Sequence, residues 1–112
     1  SRVPTAVTCA NDVTAVGVLS AARDAGFAVP EELAVAGYGN TSLASSGIAQ
    51  LTSVDPNSDR LGALAAQLLV ERVSGLEGAT RDVAVAPSIV ARRTTSAGPR
   101  PETTKRKRIS VD

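Results

Sequence analysis

The stretch from residue 5 to residue 40 constrains the fold more than any other part of the chain. Residues 6–10 form a short apolar run, which is typical of a parallel strand buried on both faces. Asn11 and Asp12 end the run, and both are favoured as helix N-caps because a short side-chain oxygen accepts from free N–H groups of the first turn. This pattern predicts a strand followed at once by a helix.

The helix is predicted over residues 13–25, where small and apolar residues recur at helical spacing. Gly26 is suited to end it, because glycine adopts the left-handed conformation at low cost. A second buried strand is predicted over residues 33–36, followed by Gly37-Tyr38-Gly39-Asn40. Residues 3–40 are therefore predicted to form one β-α-β unit.

A right-handed crossover makes the two strands parallel, so that their carboxyl ends lie at one edge of the sheet. In open α/β sheets, ligands bind in the crevice outside those ends. The sequence places amide, carboxylate, phenol and bare backbone groups there, which suit hydrogen bonding better than covalent chemistry: Asn11, Asp12, Tyr38, Gly39 and Asn40. A purely structural alternative is that Asn11 and Asp12 cap the helix and Gly39-Asn40 forms a turn.

Several motifs resemble the C-terminal part of the effector-binding core of LacI/GalR-family transcriptional regulators. They are Cys-Ala-Asn-Asp-x-x-Ala-x-Gly at 9–17, Val-Pro-Glu-Glu-Leu-Ala-Val-Ala-Gly-Tyr at 29–38, Leu-Thr-Ser-Val at 51–54 and Pro-Ser-Ile-Val-Ala-Arg-Arg-Thr-Thr at 87–95. The resemblance implies an α/β fold. Specifically, it implies a βαβ parallel-sheet fragment of a two-lobed periplasmic-binding-protein-like fold, with a second amphipathic helix and short C-terminal strands.

The resemblance also implies how the rest of the chain is organised. Residues 1–95 are predicted to be a partial sensor domain, in which 51–57 cross between lobes, 58–75 form a helix capped by Ser58 or Asp59, and 82–95 form terminal strands. The helix is expected to bury one apolar stripe: Leu61, Leu64, Ala65, Leu68, Leu69 and Val73. Residues 96–112 are poor in apolar residues and are predicted to be a disordered basic tail.

Composition limits the function classes. The net charge of +1 provides no broad field for nucleic acid or membrane, and no segment approaches the ~20 apolar residues of a membrane span. The chain contains no Met, which suggests a fragment of a longer protein, and a single Cys fits a reducing cytoplasm.

Enzymatic chemistry is disfavoured by the residues that are missing. Without His, the chain has no Ser-His-Asp or Cys-His nucleophile of its own, and one Cys without His supplies no N/S metal site. Cys9 is predicted to be an inert thiol buried within the first strand. We therefore expect no enzyme activity, no cofactor and no metal.

The resemblance implies a switch in which two lobes close on a small molecule, a sugar or a nucleobase, and alter operator binding by a helix-turn-helix domain outside this chain. The ligand-binding residues it implies are Asn11, Gly39, Asn40, Pro56 and Leu61, and the dimer-interface residues are Val13, Val16, Leu43 and Ile48. Ordinary packing within the chain is an equally weighted alternative for the interface residues. The family usually has an acidic residue where this chain has Gly39, and often Gln where it has Pro56.

The resemblance thus implies a cytoplasmic, homodimeric, effector-responsive regulator, of which this chain is expected to be a C-terminal part, with no membrane partner. Loss of the acidic residue at position 39 implies either an effector other than a polyhydroxylated sugar or a substitute contact from Asn40 and a residue outside the chain. Two alternatives remain: a solute-binding protein of a transport system, which shares the two-lobed architecture, and an α/β enzyme fragment.

Overall fold

A computed structural model describes residues 3–96. The elements in chain order are β1 (Ala6–Thr8), α1 (Asp12–Asp24), β2 (Ala34–Tyr38), α2 (Ser42–Ser45), β3 (Thr52–Asp55), α3 (Ser58–Val73) and β4 (Ser88–Val90). The predicted basic tail lies outside the described residues, apart from Ser96.

The four strands form one sheet in the order β1-β2-β3-β4. β1 runs parallel to β2, with Val7 opposite Val35, and β2 runs parallel to β3, with Gly37 opposite Ser53. β4 returns antiparallel to β3. The predicted fold class is confirmed, and the carboxyl ends of three parallel strands lie at one edge.

Helix α1 forms as its capping residues predict. The Asn11 side chain accepts from the Thr14 backbone N–H at 2.8 Å, and Gly26 follows the helix with a φ of +78°. The helix packs on β2 and buries its small and apolar face between the sheet and α2. The core that results consists of Ala15, Leu19, Val35, Ala44, Ala49 and Leu51.

Strand β1 differs from its prediction in length and burial. It ends at Thr8 rather than residue 10, and Ala6 and Thr8 are exposed while Val7 is half-buried. The prediction of a strand buried on both faces is wrong for residues 3–96, in which β1 is at the edge of the sheet. Cys9 consequently lies just after the strand and is half-buried rather than buried within it.

Helix α3 also departs from expectation. Its N-cap is Asn57, in the left-handed conformation with a φ of 60°, rather than Ser58 or Asp59. No residue of α3 is buried, and Leu69 and Val73 are 64% and 79% exposed. Of the predicted stripe, Leu64 and Leu68 are half-buried and the other four members are exposed within the described residues, although the apolar spacing is helical.

The terminal segment contains one strand rather than several. Residues 82–87 have no regular structure, and only Ser88–Val90 pairs with β3. Beyond β4, Thr94 is buried and joins the central strands: its hydroxyl donates to the Val35 carbonyl at 2.7 Å and accepts from the Thr52 N–H at 2.9 Å. Within residues 3–96, no helix is long and apolar enough to cross a membrane.

Candidate functional site

The candidate site is the edge at which the three parallel strands end. Asn11 and Asp12 follow β1, Gly39 and Asn40 follow β2, and Asp55 ends β3. Parallel pairing of the strands brings these segments, which are far apart in the sequence, to the same edge.

Asp12 is the centre of this edge. Its side chain is buried, with 1% exposure, in the first turn of α1. Ser53 Oγ donates to Asp12 Oδ1 at 2.6 Å, and the Thr41 backbone N–H and Oγ1 donate to Asp12 Oδ2 at 2.7 and 2.8 Å. A carboxylate that links α1, the start of α2 and β3 in this way stabilises the relative position of all three.

The pKa of Asp12 reflects two opposing effects. Burial raises it, but the hydrogen bonds from Ser53 and Thr41, together with the positive charge of Arg92, lower it below its ordinary value of 3.8. Asp12 is therefore ionised at neutral pH, and its position at a helix N-terminus favours the negative charge further.

Gly37 is required by the same carboxylate. A Cβ at this position would clash with Asp12 Oδ1, and it would also lie 3.0 Å from Leu51 Cδ2 and 3.2 Å from Ala15 Cβ. The strand can approach α1 closely enough to bury Asp12 only because residue 37 has no side chain.

A second polar group connects Asn40 to β3 and to the segment after β4. Asn40 Nδ2 donates to Asp55 Oδ2 at 2.9 Å, and Arg92 Nη2 donates to Asn40 Oδ1 at 2.6 Å. Arg92 Nη1 also donates to the Leu51 carbonyl at 2.8 Å. The Asn40 amide thus bridges the Asp55 carboxylate, just before residues 56–91, and the Arg92 guanidinium, just after them.

Asp55 is half-buried and has two hydrogen-bond donors. The Asn40 amide and the Asn57 backbone N–H, the latter at 2.7 Å from Oδ1, lower the pKa of Asp55 below its ordinary value and outweigh the opposing effect of desolvation. Asp55 is ionised at neutral pH, like Asp12, but unlike Asp12 it is partly accessible to solvent.

The structure places the predicted ligand-binding residues unevenly. Asn40 is held in the centre of the edge, and Gly39 beside it has a φ of +116°. Asn11 is exposed, and among the described residues its side chain bonds only to Thr14, as its capping role requires. Pro56 is half-buried directly after Asp55, and Leu61 lies in the first turns of α3 with 41% exposure.

The residues predicted for a dimer interface lie on α1 and in the α2 region, which are in contact; Ile48 lies beside Arg23 at the end of α1, whereas Val13 is at its start. Val13 and Ile48 are 71% and 86% exposed and Leu43 is 37% exposed, whereas Val16 is half-buried against the core. Packing within the chain thus accounts for Val16 and leaves Val13, Leu43 and Ile48 at the surface.

Sequence reasoning missed Ser53, Thr41 and Arg92 as members of the edge. Ser53 could have been found, because it alternates with Asp55 at the end of a strand and such residues point to the same face. Arg92 carries no such signal, since its contact with Asn40 spans 52 residues.

Two other features of the described residues do not form a site. No group of three or more His, Cys, Asp or Glu side chains in residues 3–96 could hold a metal ion. A cavity of about 390 Å³ lies beside the end of α3, but three of its charged groups are already engaged. Arg72 donates to the carbonyls of Leu76, Gly78 and Ala79, and Glu71 pairs with Arg81.

Comparison with known families matches residues 1–95 to the periplasmic binding protein-like domain. Among curated proteins, the HTH-type transcriptional repressor PurR of Erwinia tasmaniensis is 34% identical over 96 residues, which are 86% of this chain and 28% of that protein. The chain therefore spans little more than a quarter of the length of the curated relatives it matches.

Solved structures agree with the sequence match. A LacI-type transcription regulator from Bifidobacterium animalis subsp. lactis superposes with a TM-score of 0.80 and 34% identity, over 84% of this chain and 34% of that one. The transcriptional regulator CelR in complex with cellobiose superposes with a TM-score of 0.75 and 29% identity, over 80% and 28% of the two chains.

Proposed function

This chain belongs to the LacI/GalR family, within its periplasmic binding protein-like effector-binding domain, and from that premise we propose that it is the sensor part of a ligand-responsive transcriptional repressor. In this proposal the chain contributes one wall of a small-molecule site. In the same proposal, a helix-turn-helix domain elsewhere in the protein binds operator DNA, and the whole protein acts in the cytoplasm. No enzymatic step is assigned to it.

The observation that carries the proposal is the polar edge formed by the three parallel strands. It presents amide and carboxylate groups whose geometry is already ordered by Asp12 and Asn40. Such preorganised groups bind a small polar molecule at lower entropic cost than mobile side chains. They do not include a nucleophile paired with a base.

The effector we propose is a sugar-like or nucleobase-like molecule. Hydrogen-bonding groups at the edge suit a polar ligand of either kind, and the structural neighbour CelR was solved with cellobiose. Asn11 is proposed as a direct contact because its Nδ2 group remains available after Oδ1 caps the helix. Gly39, Pro56 and Leu61 are proposed as backbone and apolar contacts around it.

Homodimerisation is proposed through the surface formed by Val13, Leu43 and Ile48. These three side chains are apolar and exposed in the described residues, and a second copy of the domain would cover them. The uncovered stripe of α3 is assigned a different role. We propose that it packs against the second lobe of the complete domain, since the chain spans only part of its relatives.

The test uses the complete gene product and DNA from the region upstream of its gene. Fluorescence anisotropy should detect DNA binding, and a saturating effector should change that affinity by about 5- to 150-fold, the range typical of allosteric coupling. Asn11→Ala should weaken effector binding measured by calorimetry. DNA affinity unchanged by a bound effector would refute the switch, and ligand binding without DNA binding would favour the transport alternative.

A further inference from the structure

The two carboxylates at the polar edge have different availability. Asp12 is buried and accepts three hydrogen bonds from Ser53 and Thr41, so it is a structural group. Asp55 is half-buried and accepts two hydrogen bonds, one at each oxygen. Because an ionised carboxylate offers about four lone-pair positions, Asp55 retains acceptor capacity that a ligand could use.

The two amide oxygens that were candidates for this edge each accept one hydrogen bond already, and position 39 offers no side chain. Asn40 Oδ1 accepts from Arg92 and Asn11 Oδ1 accepts from Thr14, while Gly39 has no side chain. Asn40 is therefore a weaker acceptor than an acidic residue at position 39, because its single oxygen is uncharged and already accepts from the Arg92 guanidinium at 2.6 Å. Asn11 Oδ1 is occupied by one donor, while its Nδ2 donor has no partner among the described residues.

A side chain at position 39 would also be unfavourable in this backbone. The φ of +116° is rare for residues other than glycine, and a Cβ there would lie 3.8 Å from Asp12 Oδ2. A carboxylate at position 39 would thus lie near the ionised Asp12. The edge has a different source of negative charge, at the end of β3.

Resting on the function proposed above, we propose that Asp55 is the hydrogen-bond acceptor that selects the effector, and that Asn40 and Arg92 are positioning residues that hold it. The site then takes a neutral molecule with hydroxyl or N–H donors and rejects an anion of the same shape. Asp12 and Asp55 provide two negative charges at this edge against the one positive charge of Arg92, and Arg92 already donates to Leu51 and Asn40.

Positioning by Asn40 follows from the hydrogen bonds. Its amide fixes Asp55 Oδ2 from one side, while the Asn57 N–H fixes Oδ1 from the other. Arg92 in turn fixes the orientation of the Asn40 amide, because a guanidinium can only donate and therefore selects the amide oxygen. The Nδ2 group of Asn40 is left to face Asp55.

The experiment is isothermal titration calorimetry on the complete gene product with cellobiose, maltose, ribose and hypoxanthine as neutral probes, and cellobionate as the anionic counterpart of cellobiose. We expect at least one neutral probe to bind the wild-type protein and Asp55→Asn to weaken it by about 10- to 150-fold, the range for a hydrogen bond to a charged group. The matched control is Asp59→Asn, which removes the same charge four residues away in the first turn of α3 and should change affinity less than twofold.

A structural role of Asp55 is separated from a selective one by two further measurements. Asp55→Asn should reduce the ratio of the affinity for cellobiose to the affinity for cellobionate. A general loss of stability would not change this ratio. Asn40→Ala should weaken binding, but the double variant with Asp55→Asn should bind no more weakly than Asp55→Asn alone, because Asn40 acts through Asp55.

A neutral probe that binds the wild-type protein and the Asp55→Asn variant equally would overturn this inference and leave the proposed function standing. Preference of the wild-type protein for cellobionate over cellobiose would overturn it as well. Failure of all four neutral probes to bind would count against both the inference and the proposed effector class.

Discussion

Replacing Gly37 by Ala adds a single methyl group at the most crowded position of the polar edge. The new Cβ would overlap Asp12 Oδ1 and would lie within 3.2 Å of Leu51 Cδ2 and Ala15 Cβ. Leu51 and Ala15 belong to the core and are completely buried, so neither can move into solvent. The methyl group is accommodated only if the Asp12 carboxylate or helix α1 shifts.

The cost of the Gly37→Ala change has two parts. Overpacking of a close-packed interior typically costs about 1–3 kcal/mol. Displacing Asp12 lengthens its 2.6 Å hydrogen bond from Ser53, and a hydrogen bond to a charged group contributes about 1.5–3 kcal/mol. These parts are not additive, so we expect a loss of about 3 kcal/mol, which is a large share of the ~5–15 kcal/mol that holds a typical domain folded.

The assay is urea denaturation of the complete gene product, followed by circular dichroism, with Gly17→Ala as the matched control. Gly17 lies within α1, and apart from its chain neighbours and the nearby backbone of the helix itself, no atom of the described residues comes within 4 Å of a Cβ placed there. The same chemical change at Gly17 should therefore stabilise the protein by about 0.5–1 kcal/mol through helix propensity. Equal effects of the two variants, or a neutral Gly37→Ala, would refute the close packing of β2 on Asp12.

Three further predictions follow from the same contacts. Asp12→Asn should lower the free energy of unfolding by about 1.5–3 kcal/mol at pH 7 because Ser53 and Thr41 both donate to the carboxylate. Folding lowers the pKa of Asp12, so its contribution to stability is complete above the ordinary pKa of 3.8 and is lost as the pH falls through the lower folded value. In urea denaturation, the free energy of unfolding should therefore differ less between pH 7 and pH 3 for Asp12→Asn than for the wild-type protein. Gly39→Asp should destabilise the protein by about 1–3 kcal/mol through its positive φ without improving effector affinity, and a gain in calorimetric affinity would contradict this. Val73→Ser should cost about 1 kcal/mol or more in the complete protein if the second lobe covers α3, whereas an unchanged melting temperature would show that Val73 stays exposed as it is here.

Prediction from the sequence was most accurate where the determining interactions are local. The β-α-β unit, the Asn11 cap and the left-handed Gly26 each depend on residues within one turn or one strand, so their signals lie side by side in the chain. The family resemblance was confirmed as well, because its motifs keep their order and spacing. The proposed ligand contacts and the domain boundaries remain predictions.

Burial could not be judged from pattern alone. The apolar spacing of α3 correctly predicts a helix, but spacing does not specify what covers the apolar face, and the described residues leave it exposed. Strand β1 is a similar case. Its apolar run fits a central strand, whereas its place at the edge of the sheet leaves it largely accessible.

The amino-acid sequence by itself determined the helices and parallel strands of this protein, and the edge at which its polar residues gather, because backbone preference and apolar periodicity act over short distances. Only the tertiary structure decided what each polar residue at that edge does. Asp12 meets Thr41 and Ser53 across 29 and 41 residues, and Asn40 meets Asp55 and Arg92 across 15 and 52. These contacts depend on the register of the sheet and on the close approach of β2 to α1, so a local sequence pattern does not predict them.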